Sequence, residues 1–317
     1  ETLIRRPYEA YHRARAPWRT GLVRLDAGVV VGAFLHRACN APPARVVVRA
    51  RLDRAGQAVL AALPDDDGVA MNDDPLLALL GNSPRARRIL ITDGTSPLGL
   101  ALARELAAAG ASELWLGTTA ADPALPSIPG VPIRTVPLDV TSTALVDQLA
   151  GAIGDKVDIL VNNAGSAAGS PDDPGEAEAR AAMEVDCFGL MRLARAFAPA
   201  MAERGGGDPG DAVAWVNLLS AGAFAGPAQP EAFAASKAAA LSLSRSLRVR
   251  FAPAGIRVLD VFPALPGDPA TLARAIVVAL EAGVEDLYPD PVSQGLHRRW
   301  RADPKALERA LRAEATA

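Results

Sequence analysis

Tyrosine is scarce in this chain: Tyr8, Tyr11 and Tyr288 are the three present among 317 residues. Cysteine is scarcer. Cys39 and Cys187 stand far apart with no CxxC pair, which points to a reducing compartment and away from a disulfide framework or a zinc site. Each reads as an ordinary buried thiol. No uninterrupted apolar run approaches the roughly 18 residues of a membrane-spanning helix, and the first residues carry charge rather than the apolar core of a secretory signal. The expected location is therefore the cytoplasm, without membrane contact. A large charge of either sign is also missing, since the formal net charge is −3. Nucleic acid is accordingly not an expected partner, and Arg5, Arg6, Arg13, Arg15 and Arg19 read as a solvated face.

What the chain has is apolar residues, 50% of the total, enough for a sizeable core. Residues 1–63 read as a small β domain behind one short helix near Pro7 to Arg15. Two apolar runs broken by turns, at Asp26-Ala27-Gly28 and at Asp53 to Gly56, read as antiparallel hairpins. Residues 64–87, rich in Asp, Asn, Gly and Pro, read as a linker with an apolar patch at Leu76 to Leu80. Residues 88–317 then alternate strands and helices. Ile89-Leu90-Ile91, the turn Thr92 to Gly99 and a helix through Ala109 make the strand, tight turn and helix that open a dinucleotide-binding, Rossmann-type α/β sheet. In such a turn glycines admit a pyrophosphate to the helix N-terminus.

Further on, Asn162-Asn163-Ala164-Gly165 follows a buried strand, and Trp215 to Leu219 runs into Ser220, with Ser236-Lys237 on the next helix. With Gly255-Ile256-Arg257-Val258, these motifs resemble the short-chain dehydrogenase/reductase family, over about residues 88 to 316. The resemblance implies that Ser220 and Lys237 belong to the catalytic set, and that Gly94, Ser96, Gly99, Asp139, Asn163 and Gly165 line the dinucleotide site. Asp139 has a second reading as part of the cap of the helix beginning near Ser142. The helices at 186–203 and 231–253 correspond to those through which the family's subunits pair. The turn sequence L-D-A-G-V-V-V-G at Leu25 to Gly32, followed by a second β unit, resembles the OB-fold module that accompanies acyl-CoA enzymes, here without the cysteines of its zinc ribbon.

Several positions depart from the family pattern. Phe233 stands where the proton-donating tyrosine belongs, four residues before Lys237, and Asp186 replaces the asparagine of the proton relay. Asp93 and Pro97 replace turn glycines, and Ala264 replaces the glycine after Pro263. A phenol can deliver a proton and a phenyl ring cannot; losing a general acid costs about 10²- to 10⁴-fold in rate. The departures lead to the expectation of a degenerate family member, a scaffold or regulatory subunit paired with an active homologue, with NAD(P) held weakly or not at all and acyl-CoA as a candidate ligand. The alternative is an active NAD(P)-dependent oxidoreductase with an altered relay: Ser220 holds the carbonyl, Lys237 acts through water and Asp186 positions protons.

Overall fold

The computed structural model describes residues 2–4, 18–39, 45–52, 58–66, 69, 74, 77, 82–121, 123, 127–166, 175–205, 213–225, 230–264 and 267–315. The helix expected near Pro7 to Arg15 and the turn at Asp53 to Gly56 lie outside them. The described chain forms two sheets.

The first sheet contains β1 (Thr2–Ile4), β2 (Trp18–Arg24), β3 (Val30–Leu35), β4 (Val46–Leu52) and β5 (Ala58–Pro64), in the order β1-β2-β3-β5-β4. The expected hairpin at Asp26-Ala27-Gly28 is present. Gly28 has φ +82°, a conformation that costs glycine nothing, and its N–H donates to the Leu25 carbonyl at 2.8 Å. β4 and β5 pair antiparallel, whereas β3 and β5 run parallel. Trp18, Ala61 and Leu63 form a small core, with Phe34 set edge-on to Trp18 at 5.3 Å. Leu77, from the stretch read as linker, packs into that core, and the buried Asp74 accepts the Arg37 N–H at 2.6 Å and the Leu77 N–H at 3.3 Å.

The second sheet is a seven-stranded parallel Rossmann sheet. β6 (Arg88–Ile91), β7 (Glu113–Thr118), β8 (Ile133–Pro137), β9 (Ile159–Asn162), β10 (Ala214–Leu218), β11 (Arg257–Val261) and β12 (Asp286–Leu287) lie in the order β12-β11-β10-β9-β6-β7-β8. Both faces are covered, so its strands read as continuous apolar runs. Alternate residues divide between the two layers. Leu90, Trp115, Leu160, Trp215 and Val258 pack in one core with Phe197 and Phe251. Their neighbours Ile89, Leu114, Val161, Val216 and Leu259 pack in the other with Leu102, Leu106 and Ile276.

The helices are α1 (Pro97–Ala108), α2 (Thr143–Ile153), α3 (Glu176–Met183), α4 (Leu190–Arg204), α5 (Glu231–Phe251), α6 (Pro269–Ala282), α7 (Pro291–Ala302) and α8 (Pro304–Ala315). α3 passes into α4 through a π-helical turn, Glu184–Gly189. The apolar spacing of α5 suggests a stripe of Ala235, Ala239, Leu243, Leu247 and Phe251, and of these Leu247 and Phe251 are buried in the core. Ala235 is exposed, while Ala234, Ser236, Lys237, Leu241 and Ser244 are buried. The strand order reverses between β6 and β9. Ligands of such sheets bind in the crevice at the carboxyl ends of those strands.

Candidate active site

The turn from β6 into α1 lies at that crevice. Asp93 occupies the left-handed region, φ +46°, which glycine adopts freely and aspartate tolerates. The backbone thus keeps the shape expected of a glycine there, with a carboxylate added. Partial desolvation pushes the Asp93 carboxyl above its usual range, against a hydrogen bond from Ser96. Gly94 and Gly99 are required by packing: a Cβ on Gly94 would fall 2.7 Å from the Leu116 Cα, and one on Gly99 2.5 Å from the Asp93 carbonyl oxygen. Pro97 removes no helical hydrogen bond, because it is the first residue of α1, where its missing donor would have had no partner in the helix. Ser96 is the N-cap, accepting the Gly99 N–H at 3.1 Å. Asn163 Nδ2 donates at 3.0 Å to both Ser96 Oγ and the Asp93 carbonyl, tying the turn to the end of β9. Thr92, fully buried, links to the same segment by donating to Asn162 Oδ1 at 3.2 Å and accepting the Ala164 N–H at 2.8 Å.

The second feature is a buried ion pair. Lys237 Nζ donates to Asp186 Oδ1 at 2.9 Å, and the two side chains are 6% and 1% exposed. Charges so deeply buried need every remaining lone pair satisfied. Asp186 Oδ1 also accepts the Ser166 N–H at 2.9 Å, and Oδ2 accepts the hydroxyls of Ser166 and Ser236, each at 2.6 Å. The π-helical turn around Asp186 brings the carboxylate to this position. Gly165 lies directly over the pair, where a Cβ would sit 2.8 Å from Lys237 Nζ. The half-buried Phe233 ring lies on the same lysine, with Nζ 5.4 Å from its centroid. The ammonium therefore has the Asp186 carboxylate as its counter-charge, beside a phenyl ring that offers none.

Ser220 ends β10 and caps the short turn Ala221–Ala223 by accepting the Gly222 N–H at 3.1 Å; its hydroxyl donates to the Pro263 carbonyl at 3.4 Å. Asp139 is engaged locally, accepting both the N–H and the hydroxyl of Thr141, while Ser142 caps α2. Tyr288 directly follows β12. It stacks on His297 at 3.8 Å and on Phe262 at 5.2 Å. Burial first, then Asp286, raise its pKa to about 12, opposed by Arg245 and Arg248. Those arginines sit two to three turns beyond Lys237 on α5, about 12 to 16 Å along the helix. The motifs name Ser236 only as the neighbour of Lys237 and leave out Ser166, which adjoins Gly165; short polar side chains carry no periodic signal.

These features define a short-chain dehydrogenase scaffold, and the chain belongs to that family: the short chain dehydrogenase model matches residues 87–269. Among curated proteins it is 32% identical over 193 residues to 1-deoxy-11-beta-hydroxypentalenate dehydrogenase of Streptomyces exfoliatus, covering 56% of this chain and 67% of that protein. Fatty acyl-CoA reductase of Acinetobacter baylyi is 29% identical over 204 residues, 61% of this chain and 67% of the reductase. Among solved structures, a short chain dehydrogenase from Burkholderia cenocepacia J2315 in complex with NADP superposes with TM-score 0.63 at 29% identity, covering 72% of this chain and 98% of that one. Among the described residues no helix is long and apolar enough to cross a membrane, and no group of His, Cys, Asp and Glu could hold a metal ion.

Proposed function

We propose that the chain is an NAD(P)-dependent short-chain oxidoreductase that interconverts a carbonyl and its alcohol without a phenol. The observation that carries this reading is the Lys237–Asp186 pair, held by two serine hydroxyls beneath Gly165 beside the crevice. A charged pair is expensive to bury and contributes little stability for that expense, so its retention beside a crevice is better explained by function than by stability. The dinucleotide would be held by the α1 turn: Gly94 and Gly99 let the turn close tightly against β7 and itself, and Ser96 and Asn163 fix its shape. At the carboxyl end of β7 the segment Gly117-Thr118-Thr119 has no carboxylate to repel a ribose 2′-phosphate, so NADPH is accommodated as well as NADH. When bound, the dinucleotide supplies the hydride. Ser220 holds the substrate oxygen, and the proton reaches it through water from the Lys237 side, where Asp186 fixes the position of Nζ at 2.9 Å.

The substrate class rests on two likenesses. One relative is named as a fatty acyl-CoA reductase, and the order β1-β2-β3-β5-β4 with β3 parallel to β5 supports an OB-like reading of the N-terminal sheet. Together they favour an acyl-CoA thioester or a carbonyl compound derived from one.

A second reading, a non-turning-over subunit beside an active homologue, is favoured by Phe233 and by an apolar groove. That groove, of about 670 Å³ between α4 and α5, is lined by Phe188, Leu190, Met191, Leu243, Leu247 and Arg250. Calorimetric titration with NADH and NADPH, followed by assay of Phe233→Tyr with and without Asp186→Asn, separates the two. Under the oxidoreductase reading wild type binds at micromolar concentration, and the double variant gains at least tenfold in turnover because Lys237 is released to the new phenol. No binding by wild type up to millimolar concentration favours the subunit reading.

A further inference from the structure

The carbonyl of Pro263 that meets Ser220 also accepts the Ala221 N–H at 3.0 Å, so the loop after β11 is the support on which the Ser220 turn rests. The next residue, Ala264, is 7% exposed and donates its N–H to Asp290 Oδ2 at 3.0 Å. The other oxygen of Asp290 accepts the Ser293 N–H at 2.8 Å, closing a capping box at the start of α7, and the Asp290 N–H faces Ser293 Oγ at 3.3 Å. One carboxylate thus caps a helix and clips a loop. Apolar contacts follow the same line: Ala221, Ala225 and Ala264 share a core with Leu296, Leu307 and Leu311 of α7 and α8, and Phe224 meets Trp300 at 5.7 Å and His297 at 6.0 Å.

We propose that Asp290 is a positioning residue for the active site: through Ala264 and Pro263 it fixes the two loops at the carboxyl ends of β10 and β11, and so the placement of Ser220. The helix cap alone would require one acceptor. The second oxygen serves only the loop, and one acceptor lost from a buried N–H leaves that donor unsatisfied. This inference rests on the role given to Ser220 above.

Two substitutions separate cap from clip. Asp290→Ser retains a short N-cap hydroxyl for Ser293 but has a single oxygen and cannot also reach Ala264. Ser293→Ala removes the reciprocal half of the capping box and leaves both Asp290 oxygens in place. Hydrogen exchange of the peptides spanning 219–225 and 260–264 is measured in the full chain, together with NADPH affinity. Asp290→Ser is expected to speed exchange in both peptides and, because Pro263-Ala264 corresponds to the family's loop that reaches the nicotinamide, to weaken NADPH binding about tenfold, the scale of one lost hydrogen bond. Ser293→Ala is expected to do neither. Equal exchange in wild type and Asp290→Ser overturns the proposal, as does equal NADPH affinity. If wild type fails to bind NADPH, the oxidoreductase reading fails instead, and the clip is judged by the exchange data alone.

Discussion

At the scale of single residues, the exchange of tyrosine for Phe233 and asparagine for Asp186 has one electrostatic logic. A buried ammonium needs a counter-charge, and with no phenolate available the carboxylate of Asp186 provides it at 2.9 Å. The pair should therefore be coupled energetically. Lys237→Met leaves Asp186 charged, buried and unpaired, and is expected to cost about 3 kcal/mol in urea unfolding; Asp186→Asn strands the lysine at a similar cost. Removing both should cost less than the sum, with a coupling of about 1 kcal/mol or more. Additive losses would show that the two side chains do not share one interaction. The sequence showed both residues and their family positions. The serine partners of Asp186 were not legible, because Ser166 and Ser236 are local acceptor-seeking side chains whose targets are set by the fold.

Elements were legible where their signals were local. The run Ile89-Leu90-Ile91, the turn into α1 and Asn162-Asn163-Ala164-Gly165 each carry strand, turn or cap chemistry in consecutive residues, and the structure has the expected elements there. The inward face of α5 was not, because Ser236, Lys237 and Ser244 are polar and periodicity reads only apolar positions. Ser244 is buried to meet Asp260 of β11. Asn217 of β10 donates to Ser244 Oγ at 2.8 Å and to Asp260 Oδ1 at 3.3 Å, and Arg248 donates to Asp260 Oδ2 at 3.0 Å. Burial raises the Asp260 carboxyl from its ordinary 3.8 to about 6, with Ser244, Arg248 and Asn217 opposing the shift. The folded chain thus holds this proton more tightly than the unfolded chain. Its contribution to stability is full below about pH 4 and is lost as pH rises to about 6, on the order of 3 kcal/mol in all. Urea unfolding of wild type and Asp260→Asn at about pH 4 and about pH 7 checks the sign: wild-type stability relative to the variant should fall between the two. A constant difference would show that Asp260 titrates alike in both states.

For the whole molecule, the groove between α4 and α5 decides whether the chain works alone. Phe188 and Met191 are 43% and 47% exposed, and Val249 on α5 is 76% exposed. A largely apolar groove beside exposed large side chains on two adjacent helices has the composition of an association surface, and the arrangement to test is a second copy that presents the same helices about a two-fold axis. In that isologous arrangement each substitution is felt twice, since the residue on one protomer meets the same patch on the other. Met191→Glu places a carboxylate in the middle of the groove, near Arg192 and Arg195 on one wall and Leu243 and Leu247 on the other. Arg192 and Arg195 are already engaged by Glu184 and Asp147, so in a dimer the added charge is buried against leucines without a dedicated partner, at a cost of several kcal/mol, whereas in a monomer it points to water at almost no cost. Light scattering coupled to size exclusion should then give a dimer or larger assembly for wild type and a monomer for Met191→Glu, with the unfolding midpoint of the dilute variant unchanged. A wild type that is already monomeric at high concentration would remove self-association and leave a homologous partner chain as the occupant of the groove, the arrangement in which a chain with Phe233 contributes surface while another contributes the phenol.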